Sequence, residues 1–237
     1  MTTKLVTTIA AACNPEGAVE SVSRLAQEAV SVGADAIVLL GNLTSANSGP
    51  QEYSSILRAV GESQLWTFYV PGPQDAPFHE FLRQAANFEI VFPKLRCVHT
   101  TFAVAAGPVV FAGMGGTIVD DLYTLRDELA VLRYPGWEVE YRLKFLQDLK
   151  DYSKVLLFTS PPEHKGLHTS GSAVLAELVK THNPQFVISG GAEPKHGILG
   201  AKSHIIAPGN IREGHYALLN LRKHDVTHEL LRHASAA

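Results

Sequence analysis

Only two cysteines, Cys13 and Cys97, occur in 237 residues. No framework of spaced pairs can staple the fold, and a reducing, cytoplasmic setting is expected. Long apolar runs are also missing. The stretch from Leu5 to Ala12 spans only about eight residues behind a lone Lys4, at the bottom of the range for a signal-peptide core. It falls far below the ~18 residues of a membrane span, so no membrane partner is expected. Nor is there a surplus of basic charge. With 20 Lys and Arg against 23 Asp and Glu, interspersed and netting -3, the chain is not a nucleic-acid binder built on a basic stripe. Internal repeats and low-complexity linkers are absent, and nothing sets an oligomeric state.

What is present is an ordinary globular composition, 46% hydrophobic and 18% charged, in a chain long enough for one large core. A single domain over 1–223 is expected, with 224–237 as a tail whose histidines, from His224 to His233, form a frayed end. The first part alternates strand-like and helix-like segments in the manner of α/β folds. Leu5–Ala12 reads as a buried strand. Gly17–Val32 reads as a helix with Val19, Val22, Leu25, Ala26 and Ala29 on one face. Ala36–Leu40 and Trp66–Val70 are further strands, separated by a helix over Glu52–Val60. Phe102–Ala105 and Val109–Phe111 flank the turn signal Gly107-Pro108 and predict an antiparallel hairpin. A helix over Tyr134–Leu149, with Trp137, Tyr141, Phe145 and Leu149 four apart, precedes a strand at Val155–Phe158. A helix at Ala173–Lys180, a strand at Phe186–Ser189 and short strands up to Leu221 complete the pattern.

In sheets of this kind ligands sit beyond the carboxyl ends of the strands. The loops opening there read Cys13-Asn14-Pro15-Glu16-Gly17, Gly41-Asn42-Leu43-Thr44-Ser45, Gly72-Pro73-Gln74-Asp75, Thr159-Ser160-Pro161-Pro162 and Gly190-Gly191-Ala192-Glu193. In order and spacing they resemble the motifs of the calcineurin-like metallophosphoesterases: Asp-x-His-Gly, Gly-Asp-x-x-Asp, Gly-Asn-His-Asp, a lone His before a Pro-containing loop, and Gly-His-x-His. Ala207-Pro208-Gly209-Asn210 is similar to the family's late Asn-Pro-Gly-Ser turn. The run from Tyr69 to Asp75 resembles a divergent bacterial branch of phosphoesterase-like proteins. The resemblance implies two packed mixed β-sheets flanked by helices, an αββα sandwich.

It also implies a changed site. Asn14 stands at the first metal Asp and Glu16 at its His partner. Asn42 replaces the bridging Asp, Pro73 the Asn ligand, and Gln74 the His that donates a proton to the leaving group. Thr159 takes the lone His position, while Gly191 and Glu193 replace the two histidines of the last motif. Asp75 persists, with Gly41 and other glycines. Two divalent ions ~3.5 Å apart repel by roughly 19 kcal/mol even at an effective dielectric of ~20. Bridging anions must offset that, and Asn42 is neutral. Gln74 has no usable pKa for proton donation. The oxygen donors Asn14, Glu16, Asn42, Thr159 and Glu193 suit at most one weakly held Ca²⁺ or Mg²⁺.

Three functions stay open: a cleft that binds a small anionic or phosphate-containing ligand, a one-metal phosphoesterase rebuilt from Glu16, Asp75, Glu193 and His164 or His196, and a structural module. Glu16 and Glu193 also read as solvated loop carboxylates, and His164 and His196 as hydrogen-bonded loop histidines. His164-Lys165-Gly166 can meet an anion at the cleft mouth. Cys13, in the cleft, reads as a nucleophile or, lacking a base, as a small apolar filler. Gly113-Met114-Gly115-Gly116 reads as a turn rather than a dinucleotide loop, and Trp66, Phe68 and Tyr69 as core.

Overall fold

Continuous apolar runs become strands buried on both faces, and their register sets the architecture. A computed structural model describes residues 5–46, 48–75, 77–120, 132–167 and 171–231. In the first half, β1 (Thr8–Cys13), β2 (Ala36–Leu40), β3 (Trp66–Val70) and β4 (Leu95–Cys97) run parallel. They are joined through α1 (Val19–Ser31), α2 (Pro50–Gly61) and α3 (Phe78–Val91). A hairpin of β5 (Phe102–Val104) and β6 (Val109–Met114) opens the second half. A short parallel pair, β7 (Thr117–Val119) and β8 (Arg133–Pro135), and helix α4 (Gly136–Arg142) follow. Then come β9 (Ser153–Phe158), α5 (Ala173–His182), β10 (Phe186–Ser189), β11 (Lys195–Leu199), β12 (Ser203–Ala207), β13 (His215–Asn220) and β14 (Asp225–Leu230).

Two six-stranded mixed sheets result, in the orders β14-β13-β1-β2-β3-β4 and β11-β12-β10-β9-β6-β5. The period of two along each strand divides the core in two. Ile9, Ala11, Val38, Leu40, Phe68 and Val70 meet Phe111, Val155, Leu157 and Ile188 between the sheets, where the Phe68 and Phe111 rings stack 3.7 Å apart. Ala10, Ala12, Ile37, Leu39 and Tyr69 instead pack outward with the helical residues Val22, Leu25, Ile56 and Phe81. The expected αββα sandwich is the observed one.

Three readings of the sequence need correction. Helix α3 lies in a stretch assigned no element, although Phe78, Phe81, Ala85 and Phe88 bury one face of it. The helix predicted over Tyr134–Leu149 begins as strand β8, and α4 is followed by a 3₁₀ turn at Lys144–Gln147. Half of its expected apolar stripe is turned outward: Trp137 and Tyr141 are exposed, Phe145 and Leu149 are partly buried against the core, and Val139, Leu143 and Leu146 are buried. The tail is not frayed from His224. Residues 225–230 form β14, which pairs with β13 from His215↔Leu230 to Asn220↔Asp225. His233 lies outside the described residues. No helix among the described residues is long and apolar enough to cross a membrane.

Candidate functional site

The loops after β1, β2, β3, β9 and β10 converge at one end of the sandwich because parallel strands all deliver their carboxyl ends there. They enclose a cavity of about 400 Å³ whose lining includes Asn14, Asn42, Pro73, Thr159, Gly191 and Lys195. The first loop turns sharply, with Asn14, Glu16 and Gly17 at φ of 51°, 43° and 76°. It is fastened to the second by Asn14 N–H to Leu40 O at 3.0 Å, Glu16 N–H to Asn42 O at 3.0 Å and Gly17 N–H to Leu43 O at 3.1 Å. Glu52, on α2, receives the Ser45 amide and hydroxyl. The second and third loops touch so closely that a Cβ on Gly41 would lie 2.0 Å from the Gly72 nitrogen; only glycine fits there.

Asp75 is fully buried beneath that contact. Its carboxylate receives the amides of Leu43 (2.9 Å), Thr44 (3.1 Å) and Gly72 (2.7 Å) and the Thr44 hydroxyl (3.2 Å). Burial pushes its carboxyl from 3.8 up to about 6, against the downward pull of those donors. Asp75, a candidate for the rebuilt one-metal site, holds the two loops together through these bonds.

Gly41, Asn14, Asn42, Pro73, Thr159 and Gly191 line the cavity, whereas Cys13 and Gln74 are not among its lining residues. The Oδ1 of Asn42 accepts the Gln74 backbone N–H at 2.9 Å, and the Thr159 hydroxyl donates to Gly116 O at 2.6 Å. Other candidates stand apart from the lining. Glu16 is paired with Arg212 at 2.6 Å. The side chain of Glu193, 77% exposed, is paired with Lys195 at 3.1 Å. His164 Nε2 donates to Ile198 O at 2.9 Å, fastening its loop to β11. His196 stacks on His204 with Nε2 2.9 Å from its Nδ1; strand alternation turns it away from the face on which Lys195 lines the cavity. The Cys13 thiol donates to Gly191 O and Gly209 O at 3.1 Å, and burial pushes it up to about 12, the setting of a filler rather than a nucleophile.

Two residues that matter most to the charge of the cleft, Lys195 and Arg212, drew no attention in the sequence. Lys195 had a signal, being two positions beyond Glu193. Arg212 reaches Glu16 from 196 positions away, which no local pattern discloses. Among the described residues no three of His, Cys, Asp and Glu converge as a metal group.

Two facing mixed sheets with helices outside and five loops at the strand ends define a calcineurin-like metallophosphoesterase fold. The family described as metallophosphoesterase, calcineurin superfamily, matches residues 1–231, and the chain belongs to it. TT1561 of Thermus thermophilus is 46% identical over 96% of this chain and 100% of its own, with a TM-score of 0.90. A second solved structure is 26% identical over 95% of this chain and 99% of its own, with a TM-score of 0.85. GAP50 of Plasmodium, described as the anchor in the inner membrane complex, is 13% identical over 97% and 89% and shares the fold at a TM-score of 0.60. No curated protein matches.

Proposed function

We propose that the cleft binds a small phosphate-bearing anion through hydrogen-bond donors and does not perform standard two-metal phosphoester hydrolysis. The observation that carries this reading is the direction of Asn42. Its Oδ1 is taken by the Gln74 amide, so its NH₂ group is what remains to offer a ligand, and an NH₂ group donates. Lys195 adds a cation to the lining. Glu16 and Glu193 are each held by a cation of the chain itself, Arg212 and Lys195. A pair of divalent ions needs the reverse arrangement, bridging carboxylates and free lone pairs, and the donor set does not fit it. One Ca²⁺ or Mg²⁺, held weakly on Asn14 and Thr159, is the most that it accommodates.

The rebuilt one-metal hydrolase would need Glu16, Asp75, Glu193 and His164 or His196 at the cleft, and each of these is engaged with other groups of the chain. A vestigial module would fill the cleft with its own side chains, whereas about 400 Å³ stays open. Two free cysteines suit a reducing cytoplasm. The decisive experiment pairs metal analysis of the purified protein with phosphate-dependent thermal stabilisation and hydrolysis of a phosphodiester and a phosphomonoester in Mg²⁺, Mn²⁺ and Ca²⁺. Stabilisation by phosphate without turnover is expected, and a loss of that stabilisation in Lys195→Gln. Turnover abolished by Glu193→Ala, or stoichiometric tight zinc, would overturn the reading.

A further inference from the structure

A second cavity, of about 410 Å³, lies at the opposite end of the second sheet. Strand β9 starts at this cavity with Ser153 and Lys154 and ends beside Thr159 in the cleft. Its six residues separate the two by roughly 20 Å. Lys150, Lys154, His182, Lys202 and His224 all line it, and no carboxylate is among its described lining residues. In a chain of net charge -3 that is a local inversion of sign. Five cationic or titratable side chains arrive from the start of β9, the end of α5, the β11–β12 turn and the β13–β14 turn.

Among the lining residues Lys154 is only 7% exposed, and its ammonium donates to Tyr152 O at a long 3.4 Å. Removing an ammonium from water without a close anion is unfavourable. Burial lowers the Lys154 ammonium against a smaller upward pull from Asp151, and burial, with a push from Lys154, holds His182 below its ordinary range. Compensation of the α5 carboxyl end accounts for Lys180 and His182 in the last turn. It does not account for Lys150, Lys154 and Lys202, which come from other segments. Lysine ammoniums are point charges suited to phosphoryl oxygens, and the volume is that of a small-molecule site.

We propose that this cavity binds a small molecule carrying two or more phosphoryl groups, independently of the cleft. Inorganic pyrophosphate is the probe, read by thermal shift and by chemical-shift changes at the His182 and His224 rings at fixed ionic strength. Saturable stabilisation is expected, and the apparent Kd read at the His182 and His224 rings should weaken roughly tenfold or more in Lys154→Met and severalfold in Lys202→Gln and stay unaltered in Lys195→Gln. Should Lys154→Met fail to fold, the Lys150→Gln/Lys202→Gln pair on the surface carries the same test. Four outcomes overturn the proposal: stabilisation reproduced by sodium chloride, a Kd unchanged in the lysine variants, loss confined to Lys195→Gln, or displacement of pyrophosphate by a short DNA duplex at lower concentration. The third of these would leave the cleft reading standing while this one falls.

Discussion

The backbone N–H of Gln74 donates to the Oδ1 of Asn42 at 2.9 Å, joining the third loop of the cleft to the second. The contact fixes the amide so that it offers N–H and not oxygen. Asn42→Asp would keep the bond to Gln74 while turning a carboxylate oxygen toward the ligand. Two like charges ~4 Å apart repel by about 4 kcal/mol at an effective dielectric of ~20, so phosphate affinity should fall tenfold or more. Introducing this carboxylate should not confer phosphodiester hydrolysis in millimolar Mn²⁺, because Gln74 has no proton to give. Thermal-shift titration and a chromogenic diester assay check both halves.

Asp75 underlies the same two loops. Asp75→Asn would replace an acceptor oxygen by an NH₂ group facing backbone donors of Leu43, Thr44 and Gly72, at a cost of roughly 3 kcal/mol in urea unfolding. The pH dependence has a definite sign. The native carboxyl titrates at about 6 and its ordinary value is 3.8, so between those values the native state holds the extra proton and this group raises stability as pH falls. The gap between wild type and Asp75→Asn should therefore widen by about 2 kcal/mol from pH 6.5 to 4.

His99 has the opposite slope. It is buried with Nδ1 accepting the Gly115 amide at 2.9 Å and Nε2 at 3.1 Å from the Tyr134 hydroxyl, an arrangement for a neutral ring. Burial, with a smaller push from Arg142, lowers it from 6.5 to about 3. The unfolded chain takes up this proton first, so the stability His99 confers is complete above 6.5 and is lost as pH falls toward 3. The advantage of wild type over His99→Gln should shrink by about 2 kcal/mol between pH 6.5 and 4.5. Because Asp75 and His99 oppose each other, the wild-type profile should be flatter there than that of either variant.

Local pattern disclosed what local physics decides. Ala36–Leu40, Trp66–Val70 and Phe186–Ser189 match the observed strands because a buried parallel strand is an uninterrupted apolar run. The ordered loops placed Asn14, Asn42, Thr159 and Gly191 in the cavity. The stripe of Trp137 and Tyr141 misled, since spacing four apart gives a face of the helix but not which side that face meets. The partners of Glu16 and His196 escaped as well. Arg212 and His204 reach them through tertiary pairing, and an ion pair across 196 positions leaves no periodic trace.

The end of the chain offers the last test, because composition and tertiary pairing make opposite claims about it. A frayed histidine tail could be removed at no cost. Strand β14 instead pairs six residues of the chain with β13, and Val226 packs against the core between the sheets. Removing residues 225–237 takes away a ladder whose bonds contribute roughly 0.5–1.5 kcal/mol each and uncovers the β13 edge. Unfolding free energy should fall by about 2–6 kcal/mol with four of those bonds lost. The bared edge should raise concentration-dependent light scattering, since unpaired strand edges template association. Urea midpoints and scattering indistinguishable from the full chain would return the segment to a tail.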